Sequence, residues 1–429
     1  MSVDRAGILK RPEEILTWAI EISVYCLVFI IPFSKSAIEI FAVAAIMLWL
    51  VKQAASCKAR ITCYFPATPL AAPVFMYFAV CCVSAVFSTN VNLSIKGLFS
   101  KLAEYILIFF VCIDTFSRKE GSGRRLNMLL AAVTLSAVLL FSDAAFQWIY
   151  GKDFIRGYKI ERLNACFSSA NGLAGYIITV IPLLLCVAFT GFKKKQFMIK
   201  FGSVILYLAG MVLLGKTLSR GGWIGYLASS VFLVFIAGIM VSKRIKTTRW
   251  LVFLTILCTS ILLVATGISI KPVKDRLMSI RTGITASTSR LTLWKEAISI
   301  IEDFPVLGTG PNTYTSLISR YSASKITGSY PHNSYLHMAA EVGIAGLISF
   351  LWILWRFFYN GLRSFERHMP HNREERNRQI VLLGIMTGVS ATLVHSFFDT
   401  NFFALQFAVL FWAMLGLGAA YMKAGIEKT

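Results

Sequence analysis

Three short stretches of this chain carry side chains able to hold an anionic group or move a proton, and each borders apolar sequence. The first is Thr217-Leu218-Ser219-Arg220-Gly221-Gly222-Trp223. An arginine at the edge of two apolar runs either snorkels to the interface as an anchor or meets a partner of opposite charge. The glycine pair beside it lets a substrate or another helix approach the backbone closely. The second is Arg290, which follows Ser287-Thr288-Ser289, an expected helix cap. A cation in a first helical turn opposes the dipole, so an external anion would suit it, and a guanidinium with a helix amino end makes a good phosphate site. The penalty is only about 0.3 kcal/mol when exposed, so a plain surface residue fits equally well. The third is Tyr330-Pro331-His332-Asn333-Ser334-Tyr335, where proline, asparagine and serine mark a helix start. An imidazole there could accept or donate a proton near neutral pH, although a lone histidine is more often structural.

Secondary candidates cluster nearby. Asn333 adjoins His332, and His395 and Asp399 stand four residues apart, a spacing that can bring side chains together on a helix. With Thr400-Asn401, Asp399 reads first as a turn between two apolar runs. His337 lies further along its helix and reads as a packed group. The outer loops hold no D-x-D, no H-E-x-x-H and no Cys/His cluster, and there is no P-loop, so the expected chemistry uses neither a bound metal nor a nucleotide cofactor.

The elements that position these residues must be membrane spans. Of 429 residues, 56% are hydrophobic and 15% charged, and the mean hydropathy is +0.67, against about 25% charged residues in a soluble domain. A span needs roughly 20 mainly apolar residues. Such runs fall near 17–33, 36–52, 69–89, 102–116, 127–149, 171–190, 201–215, 221–241, 250–270, 334–358, 379–398 and 402–421. The expectation is therefore an all-α integral membrane protein of about twelve spans, a single polytopic domain over 1–429. The run 17–33 has no cleavage site after it and reads as a retained span. Nine cysteines, mostly inside apolar runs, argue against a disulfide framework or a zinc site.

The net charge of +22 is mostly a topology signal. With the amino terminus inside, alternate connections hold Lys10 and Arg11, Lys58 and Arg60, Arg124 and Arg125, Lys193 to Lys195, Lys243 and Arg244, then Arg373 and Arg376, which is the positive-inside pattern. Both termini are expected in the cytoplasm, and nucleic acid is not an expected partner. Residues 271–332 then form one long outer loop between spans 9 and 10. Its charges are either incidental or suited to an anionic substrate. Leu291, Trp294, Ile298 and Ile301 recur at helical spacing before Phe304-Pro305, predicting an amphipathic helix at the outer surface, and residues 312–321 suggest a second short one.

The run from His332-Asn333 through Leu336 to Gly343 and Gly346, preceded by Arg290-Leu291-Thr292-Leu293-Trp294 and Phe304-Pro305-Val306-Leu307-Gly308-Thr309-Gly310, resembles the O-antigen ligase and polymerase family. The resemblance is strongest over 217–346. It implies a glycosyltransferase of the bacterial inner membrane with its active site facing the periplasm. Such an enzyme takes glycan from an undecaprenyl diphosphate carrier and joins it to a sugar hydroxyl, in ligases that of lipid A–core. The family's two arginines fall on Arg220 and Arg290, its histidine on His332, and its outer loop before the sixth span on 151–171. A polymerase, which extends a second carrier-linked glycan, would share these motifs. From another class, a secondary transporter would account for the intramembrane acids Glu21, Glu104, Asp143 and Glu341, but no matching pair of broken helices marks two halves.

Overall fold

A computed structural model describes residues 5–58, 65–118, 120–159, 161–190, 197–242, 253, 255, 257, 286–322, 330–367, 370 and 372–426. Among these residues every regular element is helical. In chain order they are α1 (Arg5–Ile30), α2 (Lys35–Lys58), α3 (Ala71–Val86), α4 (Val91–Gly97) with a π-helical turn at Leu98–Leu102, α5 (Ala103–Phe116), α6 (Ser122–Tyr150), α7 (Ala170–Phe189), α8 (Phe197–Lys216) and α9 (Arg220–Ser242). They continue with α10 (Ala286–Asp303), α11 (Tyr314–Leu317), α12 (Ser334–Arg367), α13 (Arg373–His395), a 3-10 turn at Asn401–Phe403, and α14 (Leu405–Ile426).

Seven of these, α2, α6, α7, α9, α12, α13 and α14, are long and apolar enough to cross a membrane by length and composition, and α3 is a shorter apolar helix. The expected ninth span, 250–270, lies outside the described residues apart from 253, 255 and 257, which are helical. So do 271–285 and 323–329 of the long loop.

Lipid tails are as apolar as leucine, so burial gives no driving force between helices within a bilayer, and close packing of small residues must hold the bundle. α7 is the central post, buried along nearly its whole length. Gly384 and Gly388 of α13, spaced as G-x-x-x-G, bring that helix onto it. A Cβ on Gly384 would lie 3.0 Å from Cys186 Sγ, and one on Gly388 would strike the Thr179 carbonyl oxygen. Thr179 and Thr392 hydroxyls bond across the same seam at 2.7 Å. Gly416 does the same for α14 against α5, with its Cβ position 2.5 Å from the Phe109 carbonyl oxygen.

α12 is broken at Gly343, whose φ of 70° and ψ of −179° leave the helical region. A break inside a membrane frees backbone groups that must find partners within the protein. The chain between α10 and α11 supplies them. Ile344 N–H donates to the Pro305 carbonyl at 2.9 Å, Thr309 N–H to Ala340 at 3.0 Å, and Gly310 N–H to Glu341 at 2.8 Å. Gly308 (φ 68°) approaches so closely that a Cβ would lie 2.5 Å from the Glu341 carbonyl. The Phe304–Gly310 and Gly343 motifs, separate parts of the family resemblance in the sequence, are thus two halves of one joint. The joint locks α10 to α12.

α10 departs from the expectation in detail. It begins at Ala286, so Ser287 to Ser289 lie inside its first turn rather than before it, and Arg290 stands just beyond that turn. The dipole argument for an anion at Arg290 is correspondingly weaker. Ala297 and Ile300 are the buried positions, packed with Tyr314, Leu317, Ile318 and Ala340 in a small core of their own. Leu291 and Ile298, expected on an amphipathic face at the outer membrane surface, are exposed. Two apolar faces on one helix obscure which of them packs.

Candidate functional site

Helix directions put the start of α9, the start of α12 and the end of α13 at one end of the bundle. His332 precedes α12 with φ 46°, a left-handed conformation unusual for a residue with a side chain and often found at functional positions. Its neighbour Asn333 caps the helix, its Oδ1 accepting from Tyr335 N–H at 3.0 Å and Leu336 N–H at 3.1 Å. The next residue ties the corner to α13: Ser334 N–H donates to the Ser396 carbonyl, and its hydroxyl donates to the Asp399 carbonyl, both at 2.8 Å.

That tie brings His332 Nδ1 to 3.3 Å from Asp399 Oδ1. The His332 side chain is 45% exposed and that of Asp399 19%, so the imidazole is accessible while its partner is sheltered. Burial works to raise the Asp399 carboxyl, but the His332 hydrogen bond, the nearby His395 and the Thr400 N–H together hold it below the ordinary carboxylate value. Asp399 therefore does make the expected turn, and it also pairs with a histidine 67 residues away. Local spacing had offered only His395 as its partner.

His395 is buried instead. Its Nδ1 takes a hydrogen bond from Asn401 Nδ2 at 2.9 Å, and Gly221 packs on its ring, a Cβ there lying 3.4 Å from His395 Cδ2 and 2.9 Å from Phe398 Cβ. Arg220 opens α9 at this contact, and Arg290 is near enough for its charge to act on His395. Of the three residues singled out first, His332 meets Asp399 and Arg220 opens α9 beside Gly221, which packs on His395 and Phe398, while Arg290 reaches this segment through its charge. The glycines after Arg220 serve helix approach: Gly222 sits against Ala174 and Gly225 against Ile178.

Sequence reasoning gave the residues that hold the Arg220 turn no role of their own. Arg162 donates from Nε and Nη2 to the Thr217 carbonyl, at 3.2 and 2.8 Å. Ser219 Oγ donates to Asn171 Oδ1 at 2.8 Å. Between them Leu218 adopts φ 53°. The only signal was family likeness over 151–171, since nothing in its spacing aims an arginine at a carbonyl 55 residues away.

The acids that favoured a transporter mostly have structural partners. Glu341 Oε1 and Oε2 accept from Tyr314 and Asn312 N–H at 3.0 and 2.9 Å, with His337 Nε2 at 3.3 Å. His337 is packed as expected, stacked on Phe403. Glu21 pairs with Arg124 and Arg125, and Asp143 accepts from Phe154 and Ile155 N–H. The six described free cysteines form no disulfide.

Two comparisons with known proteins bear on this chain. An uncharacterized protein of Haemophilus influenzae is 24% identical over 290 residues, covering 64% of this chain and 67% of its own length. Residues 203–351, which include Arg220, Arg290, His332 and the Gly343 joint, match the model of the O-antigen ligase family. Over the stretch that holds Arg220, Arg290 and His332, this chain is therefore similar to the O-antigen ligase family.

Proposed function

We propose that this protein is a glycosyltransferase of the bacterial inner membrane that transfers glycan from undecaprenyl diphosphate to a sugar hydroxyl of lipid A–core, at the periplasmic face. The observation that carries the reading is the His332–Asp399 pair at the corner that Arg220 adjoins and the charge of Arg290 reaches. With Nδ1–H donating to the Asp399 carboxylate, Nε2 is left as the acceptor, the state a general base requires.

The acceptor hydroxyl oxygen forms a bond to the anomeric carbon while the bond from that carbon to the diphosphate oxygen breaks. The hydroxyl proton passes to His332 Nε2, and the electron pair of the broken bond leaves with the diphosphate. Arg220 and Arg290 offset the charge growing on that leaving group, since guanidinium is always charged and can make bidentate contacts with phosphate. Attack from the face opposite the diphosphate inverts the anomeric configuration. The chemistry asks for no metal, so a chelator should not slow it.

Purified protein given undecaprenyl-diphosphate glycan and lipid A–core in EDTA should form ligated product. Arg220→Ala and His332→Ala should each lower the rate by on the order of 10²-fold or more while the protein remains folded. Full activity in His332→Ala would remove the base. Chain extension on a second carrier-linked glycan, with none on lipid A–core, would make the protein a polymerase.

A further inference from the structure

Beside the Arg220 turn, the end of α6 and the hairpin after it form a face that the mechanism does not use. Trp148, Ile149, Tyr150 and Phe154 are all exposed there, with Tyr150 and Phe154 packed on either side of Phe146. Among them stand Lys152, Arg156 and Lys159, all exposed, and Lys216, whose Nζ sits 4.2 Å from the centre of the Trp148 ring. None of these four cations makes a salt bridge among the described residues. The nearby acids are Glu161, exposed, and Asp153, buried and occupied by Arg156 and Tyr158 N–H.

The hairpin is built rather than loose. Asp143 holds Phe154 and Ile155 N–H, Gln147 Nε2 donates to the Tyr158 carbonyl, and Lys152 bridges Lys159 in antiparallel register. Residues directly opposite in such a register share a face, where like charges repel. The fold thus holds two lysines together against their own repulsion. A band of aromatic residues at a membrane interface would explain Trp148 and Tyr150, but it gives no reason for that pairing.

We propose that this face binds the phosphate-bearing saccharide of the acceptor glycolipid. Its rings offer flat apolar surfaces to sugars, and its cations complement the phosphates. The placement suits delivery, because Lys216 is followed directly by the turn that Arg162 and Asn171 hold in front of Arg220. The inference rests on the ligase reading, and the experiment separates the two.

The full chain in nanodiscs is compared with Lys152→Ser/Lys159→Ser/Lys216→Gln at saturating donor, with lipid A–core intact or enzymatically dephosphorylated. The triple variant should raise KM for intact lipid A–core about tenfold, with kcat and donor KM unchanged, and Lys152→Arg/Lys159→Arg should behave as wild type. The wild type should lose the same tenfold on dephosphorylated acceptor. Equal acceptor KM in wild type and triple variant overturns the assignment while leaving the ligase reading intact. No transfer to lipid A–core by the wild type overturns the ligase reading instead. The face is then judged by binding of lipid A–core to Arg220→Ala protein with and without the three substitutions. Equal binding, or equal competition by phosphatidylglycerol vesicles, overturns it.

Discussion

The two ends of the bundle handle charge in opposite ways. At the end formed by the starts of α6 and α13 and the ends of α2 and α5, several cations meet acids, some between helices and some one turn apart in the same segment. Lys52 and Arg118 meet Asp114, Arg124 and Arg125 meet Glu21, and Ser122 and Arg378 meet Glu374. At the His332 end Asp399 pairs with a histidine, and Lys152, Arg156, Lys159 and Lys216 make no salt bridge among the described residues. Pairing fastens helices, whereas cations held without such pairs are available to an anion from outside. On the proposed reading, the first end serves stability and the second serves binding.

Substitutions that separate stability from activity test this contrast. The largest effect is expected at the joint between the two functions. Gly343→Val places a Cβ against the Val306 carbonyl at a φ of 70°, and should cost on the order of 4 kcal/mol or more. Size-exclusion chromatography should recover little folded protein. Next comes Glu21→Ala, which leaves the buried Arg125 without its carboxylate. Loss of one partner of a buried pair costs about 3–5 kcal/mol, so the melting temperature in detergent should fall clearly while the protein that stays folded retains its rate. An unchanged melting temperature would show that the far end is not held by its charges.

Asp399→Asn should do the reverse. The amide can still accept from Thr400 N–H, so the melting temperature should fall only a little, while loss of the charge behind His332 should lower the transfer rate on the order of 10²-fold. The smallest effect concerns acid. Because the folded protein holds the Asp399 carboxyl below its unfolded value of about 3.9, its contribution to stability is fully present above that pH and is lost as pH falls through the lower folded value. The difference in stability between wild type and Asp399→Asn should be constant above about pH 4 and shrink below it. A difference that persists into strong acid would mean the carboxylate charge is not what His332 and Thr400 recognise.

Much of this was legible in the chain. Apolar run length located the helices, and charge between runs set the expected orientation, because both depend on a residue's own partition between water and lipid. Arg220 and His332 could be named because they stand at the edges of such runs and Arg290 because it falls at a helix start, and family motifs covered the same stretch. Asp399 was visible as a turn or a partner for His395 but not for His332, and nothing in the Gly308 and Gly343 motifs showed that they join. Arg162 carried no signal of its own.

Composition and periodicity alone thus determine that the chain is helical and suited to a bilayer, since hydropathy is a property of residues taken in order. Only the tertiary structure decides that His332 pairs with Asp399 rather than standing alone, that Glu341 holds backbone N–H groups of Asn312 and Tyr314, and that the glycines after Arg220 serve packing. These are contacts between helices far apart in sequence, and their partners depend on helix rotation and tilt, which packing of small against large residues fixes.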